Sequence, residues 1–109
     1  MLDNPEKTFE LMTVLEAATP FEVALMPELI EHLTRQQRPV VVKPIEIVSK
    51  ISYLGDFGGI TCHIQPEDAE SMVLVSLTHV RVPRTLPFGK AVLAYQKHRV
   101  KKLRKQDHS

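Results

Sequence analysis

The feature that most constrains the fold is a series of three short segments in which apolar and polar residues alternate. They run from Ile45 to Tyr53, from Ile60 to Ile64 and from Val73 to Leu77. Alternation with a period of two is typical of strands that bury one face. A glycine-rich turn at 55–59 and an acidic loop at 66–71 separate the segments, which predicts a three-stranded antiparallel meander.

The strand register follows from the requirement that paired residues in antiparallel strands point to the same face. We predict that Tyr53 pairs with Ile60 and that Ile64 pairs with Val73. The neighbouring pairs are then Ile51 with Cys62, Ser49 with Ile64, Cys62 with Val75 and Ile60 with Leu77. One face, including the Ile45 and Ile47 side of the first strand, is then almost wholly apolar. The opposite, wetter face carries Lys50, Ser52, Thr61, His63, Ser76 and Thr78.

Helices are predicted at both ends of the chain. Asn4, followed by Pro5 and Glu6, is typical of a helix start, and the apolar spacing continues to about Ala18. At the other end, a helix rich in cations is predicted from Phe88 to about Lys105. Covering one face of the meander with these helices predicts an α+β domain of two layers.

The segments between the first helix and the meander are harder to assign. Thr19 and Glu22 have the spacing of a capping box, which predicts a short helical turn from Pro20 to Met26. Pro27 then begins a main helix that ends near Gln36. The β-branched run from Val40 to Val42 is followed by Pro44, which favours an extra strand at the sheet edge or across a bulge.

Length and composition indicate one ordinary globular domain spanning residues 1–109. Hydrophobic residues make up 43% and charged residues 25% of the chain, as in typical globular proteins. Cys62 is the only cysteine, the N-terminal segment carries acids where a signal peptide has bases, and no apolar run approaches the length of a membrane span. We therefore expect a cytoplasmic protein that does not cross a membrane.

Few residues are candidates for metal binding or catalysis. Cys62 and His63 are adjacent strand residues that point to opposite faces, so they and His79 do not make a zinc site, and we expect neither a metal nor another cofactor. Asp56 and His79 are predicted to lie at the same end of the sheet, where a carboxylate could orient an imidazole as a general base. No nucleophile accompanies them, so an enzyme built on this dyad ranks third among the possible functions.

The strongest functional signal is the segment from Lys97 to Lys105, which holds six cations in nine residues. At helical spacing, Lys97, Lys101, Arg104 and Lys105 share one face, and such a stripe can follow the phosphates of RNA or DNA. The leading hypothesis is a non-enzymatic nucleic-acid-binding module. Its predicted contact residues are Lys97, Lys101, Lys102, Arg104 and Lys105.

The distribution of charge leaves two alternatives open. Residues 1–34 contain seven acids and one base, whereas residues 81–109 contain nine bases and one acid. The basic helix could therefore pair with acidic helices of another protein or of a second copy of the chain, which would make this a protein-interaction or self-association module. Cations in the last turns of a helix also complement its dipole, so the basic helix could simply be solvated.

Overall fold

The computed structural model describes residues 4–36, 39–55, 58–67, 69 and 71–107, with side chains as far as Lys105. The helices are α1 (Pro5–Ala18), α2 (Pro27–Arg35) and α3 (Gly89–Asp107). The strands are β1 (Phe21–Leu25), β2 (Ile45–Tyr53), β3 (Ile60–Ile64), β4 (Val73–Ser76) and β5 (Val80–Arg81), with a 3₁₀ helix (Leu77–His79) between β4 and β5. The predicted α+β class is confirmed.

The strands form one antiparallel sheet in the order β4-β3-β2-β1-β5. The predicted meander is its β2–β3–β4 half, and the predicted pairs of Tyr53 with Ile60 and of Ile64 with Val73 are present. The predicted number of three strands is too low, because β1 pairs with the outer side of β2 and β5 pairs with β1.

The helical turn predicted from Pro20 to Met26 is wrong, because Phe21–Leu25 is strand β1. Phe21, Val23 and Leu25 are buried, so this segment follows the period of two that fits a sheet. Thr19 does not open a helix but ends one. Its hydroxyl donates a hydrogen bond of 2.8 Å to the Glu16 carbonyl, in the last turn of α1.

The extra strand predicted at Val40–Val42 is also wrong, since this run has no strand partner. The Val40 amide instead donates a hydrogen bond of 2.9 Å to the carbonyl of Leu33 in α2. The Pro44 carbonyl then accepts a hydrogen bond of 2.8 Å from the Leu25 amide. The segment is therefore an irregular connection held between α2 and the sheet.

A β-bulge at Ser49 changes which residues of β2 face the core. Val48 pairs with Ile64 and Lys50 pairs with His63, so Ser49 is the additional residue, and its predicted pairing with Ile64 is wrong. Before the bulge the alternation is inverted: Val48 is buried and Ile47 is 55% exposed. The same inversion exposes Ile45 and buries Glu46, whose carboxylate accepts a hydrogen bond of 2.9 Å from the Lys43 amide.

The wetter face of the sheet is partly covered by the turn between β2 and β3. Thr61 is buried although its side chain was expected in water, and its hydroxyl donates to the Gly59 carbonyl at 3.2 Å. The Ser76 hydroxyl donates to the Gly58 carbonyl, also at 3.2 Å. The predicted pair of Ile60 with Leu77 does not form, because the chain leaves β4 after Ser76 and enters the 3₁₀ helix.

Helix α3 is fixed to the sheet by both apolar and polar contacts. Immediately before α3, the ring of Phe88 packs edge to face against Phe21 of β1, with ring centroids 5.3 Å apart. The Tyr95 hydroxyl accepts a hydrogen bond of 2.9 Å from the Ile60 amide. The Gln96 side-chain amide donates to the carbonyls of Leu77 and Val80, at 2.7 Å and 2.6 Å. These contacts set the rotation of α3 about its own axis.

Gly59, in the turn between β2 and β3, is in close contact with two side chains of α3. It has a positive φ of 62°, and a Cβ there would overlap the Tyr95 hydroxyl and lie 2.8 Å from guanidinium atoms of Arg99. Gly55 has a similar φ of 66°, but, apart from its chain neighbours, no described residue has an atom within 4 Å of the corresponding position. Comparing an alanine substitution at Gly55 with one at Gly59 therefore separates the effect of backbone conformation from the effect of steric overlap.

We predict that Gly59→Ala destabilises the fold by clearly more than Gly55→Ala does. Gly55→Ala should cost only the penalty for a positive φ, about 1–2 kcal/mol. Gly59→Ala should cost at least about 1–3 kcal/mol more, as is typical of overpacked sites. Urea denaturation followed by circular dichroism measures both. Equal losses in the two variants would contradict the close packing of Tyr95 and Arg99 on Gly59.

Candidate functional site

All five cations predicted to contact a partner lie on the surface of α3. Lys97, Lys101, Lys102, Arg104 and Lys105 are exposed. The ion pairs found among the described residues join Arg35 to Glu31 and Lys43 to Glu67, so they do not involve these five cations. Among the described residues, no ion pair therefore neutralises the positive charge at this end of α3.

The sixth cation of the segment has a different environment. Arg99 is only 2% exposed, and its guanidinium lies against Gly59 in the turn between β2 and β3. A buried guanidinium held at one backbone position belongs to the structure of the domain. Of the six cations between Lys97 and Lys105, Arg99 therefore supports the fold and the other five are exposed.

Four of the five exposed cations line the same shallow depression. It has a volume of about 870 Å³ and runs along α3 beside the end of the sheet. Lys97, Lys101, Arg104 and Lys105 border it, and Lys102 does not. Helical geometry explains this, because residues spaced by three, four or seven share a face, whereas Lys102 points to another side of α3.

The remaining lining residues are neutral. Leu93 and Val100 contribute apolar surface from α3, and Met26 contributes it from the segment before α2. Thr78 and Gln96 complete the described lining, and none of the lining residues that the structure describes is an aspartate or a glutamate. The depression therefore combines an apolar floor with a border whose described charges are all positive, an arrangement suited to holding an anionic partner by its charged groups.

Sequence reasoning found the cations but missed the floor. Leu93 and Val100 are seven residues apart and so share the Lys97 face, a spacing that could have been recognised. Met26 and Thr78 are brought to the depression by other elements, and no local pattern in the sequence indicates their position.

A second concavity lies between α1 and α3. This groove has a volume of about 630 Å³, and its floor includes Leu11, Phe88 and Tyr95. None of the five predicted contact cations lines it. The groove is therefore separate from the cationic depression.

Cys62 and His63 point to opposite faces of β3, as strand geometry requires. Cys62 is fully buried, and burial raises the pKa of its thiol to about 12, so the reactive thiolate is suppressed near neutral pH. The His63 ring lies on the other face, where its Nε2 is 2.8 Å from the Ser52 hydroxyl. Among the described residues, no three His, Cys, Asp or Glu side chains are grouped to hold a metal ion.

The proposed dyad of Asp56 and His79 involves a residue outside the described part of the chain. That residue is Asp56. His79 itself is exposed at the end of the 3₁₀ helix, and its backbone carbonyl accepts a hydrogen bond of 3.1 Å from the Met26 amide.

In the described ranges, none of the helices has both the length and the hydrophobicity that a membrane span requires. Comparison of the chain with protein-family models, with curated proteins and with solved structures gives no significant match. A function for this chain is therefore argued from its own surface.

His63 provides a test of the electrostatics of the sheet face. Burial of the ring lowers its pKa from the ordinary value of 6.5, and the positive charge of Lys50 lowers it further. We predict that Lys50→Gln raises the pKa of His63 without restoring the ordinary value, because the burial remains. NMR titration of the His63 ring measures this, and Lys90→Gln, at an exposed position on α3, is the control. An unchanged pKa in Lys50→Gln would contradict the prediction.

Proposed function

We propose that this protein binds nucleic-acid phosphates through the cationic depression of α3. The observation that carries the proposal is that Lys97, Lys101, Arg104 and Lys105 border one depression, and that no acid is among its described lining residues. Phosphate binding needs positive charge that is exposed and not already neutralised, and these four side chains are exposed and lie outside the ion pairs of the described residues.

The attachment of α3 to the sheet supports this proposal. The Gln96 amide binds two backbone carbonyls, and Tyr95 binds the Ile60 amide, so α3 has a fixed orientation before any partner arrives. A fixed orientation lowers the entropic cost of binding, because the backbone of α3 is already ordered. The long lysine side chains still have to be ordered. The described residues that line the depression include no histidine, cysteine, aspartate or glutamate, and we propose binding without catalysis.

We predict that neutralising the border of the depression weakens binding far more than neutralising Lys102. In the variant Lys97→Gln/Lys101→Gln/Arg104→Gln, affinity for RNA at about 50 mM salt should fall roughly tenfold or more, and the slope of log K against log[salt] should flatten by about 2–3. Fluorescence anisotropy with a labelled RNA of mixed sequence measures both quantities.

Lys102→Gln is the matched control for this prediction, because it removes one charge from the same exposed end of α3 outside the depression. Its affinity should stay within about twofold of the wild-type value, apart from the small general loss of net charge. If wild-type protein retains neither RNA nor DNA at low salt, the proposed function is wrong. If Lys102→Gln weakens binding as much per charge as the border variant, the assignment to the depression is wrong.

A second candidate function is self-association through oppositely charged helices. Glu6, Glu10 and Glu16 are exposed on α1, and no ion pair among the described residues involves them. They could meet the α3 cations of a second copy, an attraction that salt would screen.

Self-association predicts a concentration-dependent dimer that dissociates as salt rises. The measurement is size-exclusion chromatography with light scattering across a salt series. Glu6→Gln/Glu10→Gln should shift the equilibrium toward monomer at low salt, since it removes two of the three acids. A monomer at every salt concentration would leave nucleic-acid binding as the remaining use of the depression.

A further inference from the structure

We propose that the cationic depression prefers single-stranded nucleic acid to a duplex and binds it with little regard for base sequence. This inference rests on the function proposed above and adds the class of nucleic acid. It follows from the apolar floor of the depression, which phosphate binding alone does not need.

The floor is formed by apolar side chains that are not covered by the rest of the domain. Leu93 is 38% exposed and Val100 is 39% exposed, and both border the same depression as the lysines. Met26 adds a third apolar side chain beside them. Covering apolar surface of this kind with a planar, weakly hydrated group lowers the free energy of the complex.

The two forms of nucleic acid differ in their ability to use this floor. In a duplex the bases are paired and stacked inside, so a shallow surface beside the backbone meets phosphates and sugars. In a single strand the bases are free to turn toward the protein while the phosphates remain near the cations. Single-strand-binding surfaces generally combine a positively charged groove with a platform for bases. The α3 depression has both parts, with Met26, Leu93 and Val100 in place of the more usual aromatic platform.

The two uncharged polar residues that line the depression, Gln96 and Thr78, already make hydrogen bonds within the domain. The Gln96 amide nitrogen donates to the Leu77 and Val80 carbonyls. The Thr78 hydroxyl shares a hydrogen bond of 2.8 Å with the Ser76 hydroxyl, in which either group can be the donor. The Gln96 side chain therefore has no donor left to read a base edge. Contact between the apolar side chains and the faces of the bases tolerates any sequence.

The test is a comparison of matched probes by fluorescence anisotropy. One is a labelled RNA of mixed sequence, about 12 nucleotides long, and the other is the duplex of the same length; a second single strand of different sequence tests base preference. Wild-type protein should bind both single strands within about threefold of each other. It should bind the duplex at least roughly fivefold more weakly, because the paired bases of a duplex cannot cover the apolar floor.

Substitutions on the floor separate the contribution of apolar contact from that of charge. Val100→Ser should weaken single-strand binding roughly threefold to tenfold, leave duplex binding unchanged and leave the salt slope unchanged. Lys101→Gln should weaken binding of both probes and flatten the single-strand slope by about 0.7. Leu103→Ser is the matched control, since Leu103 is 36% exposed on α3 but does not line the depression. Circular dichroism melting verifies that the variants remain folded, and Leu93→Ser replaces Val100→Ser if the latter unfolds.

The possible outcomes distinguish this inference from the function on which it rests. A duplex affinity equal to or above that of the single strand, or an equal loss for both probes in Val100→Ser, overturns the single-strand preference and leaves phosphate binding intact. A difference of more than about tenfold between the two single strands overturns the sequence tolerance. Absence of binding to every probe at low salt overturns the proposed function itself, and this inference with it.

Discussion

The close contact between α3 and the turn at Gly59 is the interaction on which the rest of the structure depends. Only a residue without a Cβ lets the Tyr95 hydroxyl and the Arg99 guanidinium reach the backbone there, and the Tyr95 hydroxyl then takes the hydrogen bond of the Ile60 amide. Once Tyr95 and Arg99 face the sheet, helical geometry turns Lys97 and Lys101 toward the depression. The outward charge of α3 is therefore a direct consequence of what its inner face binds. Because a buried hydrogen-bonding group left without its partner costs about 1–3 kcal/mol, this orientation is strongly selected over rotated alternatives.

Much of the fold could be predicted because the local patterns and the tertiary structure agree. The start of α1 at Asn4–Pro5 and the pairing of Ile64 with Val73 were predicted from short-range chemistry, and both are present. The wrong predictions concern segments whose conformation is determined by contacts with residues distant in sequence. Phe21–Leu25 has a plausible helix start before it, yet its hydrogen-bond partners lie in β2 and β5. The bulge at Ser49 inserts one residue into β2 without any glycine or proline to mark it, so the inverted alternation before it could not be seen in the sequence.

The candidate site was predicted in part, for the same reason. The cations of α3 are consecutive enough in sequence for their spacing to assign a shared face, and the structure places four of the five along one depression. Arg99 belongs to the same cationic run, but its burial depends on the position of Gly59 in another part of the chain. Met26 likewise reaches the depression only because β1 lies beside β5, where the Met26 amide binds the His79 carbonyl. Local spacing therefore identifies the charged border, while the apolar floor requires the tertiary fold.

We propose that the exposed face of α3 is the surface at which an anionic chain is bound. The most direct test is an NMR titration of isotopically labelled protein with a short single-stranded RNA, followed by amide and methyl shifts. Binding at this surface predicts the largest changes at Leu93, Val100 and Met26 and along the Lys97–Arg104 face, with small changes at Lys102. Changes centred on the groove between α1 and α3, or on the exposed Ile45 and Ile47 face of the sheet, would contradict it.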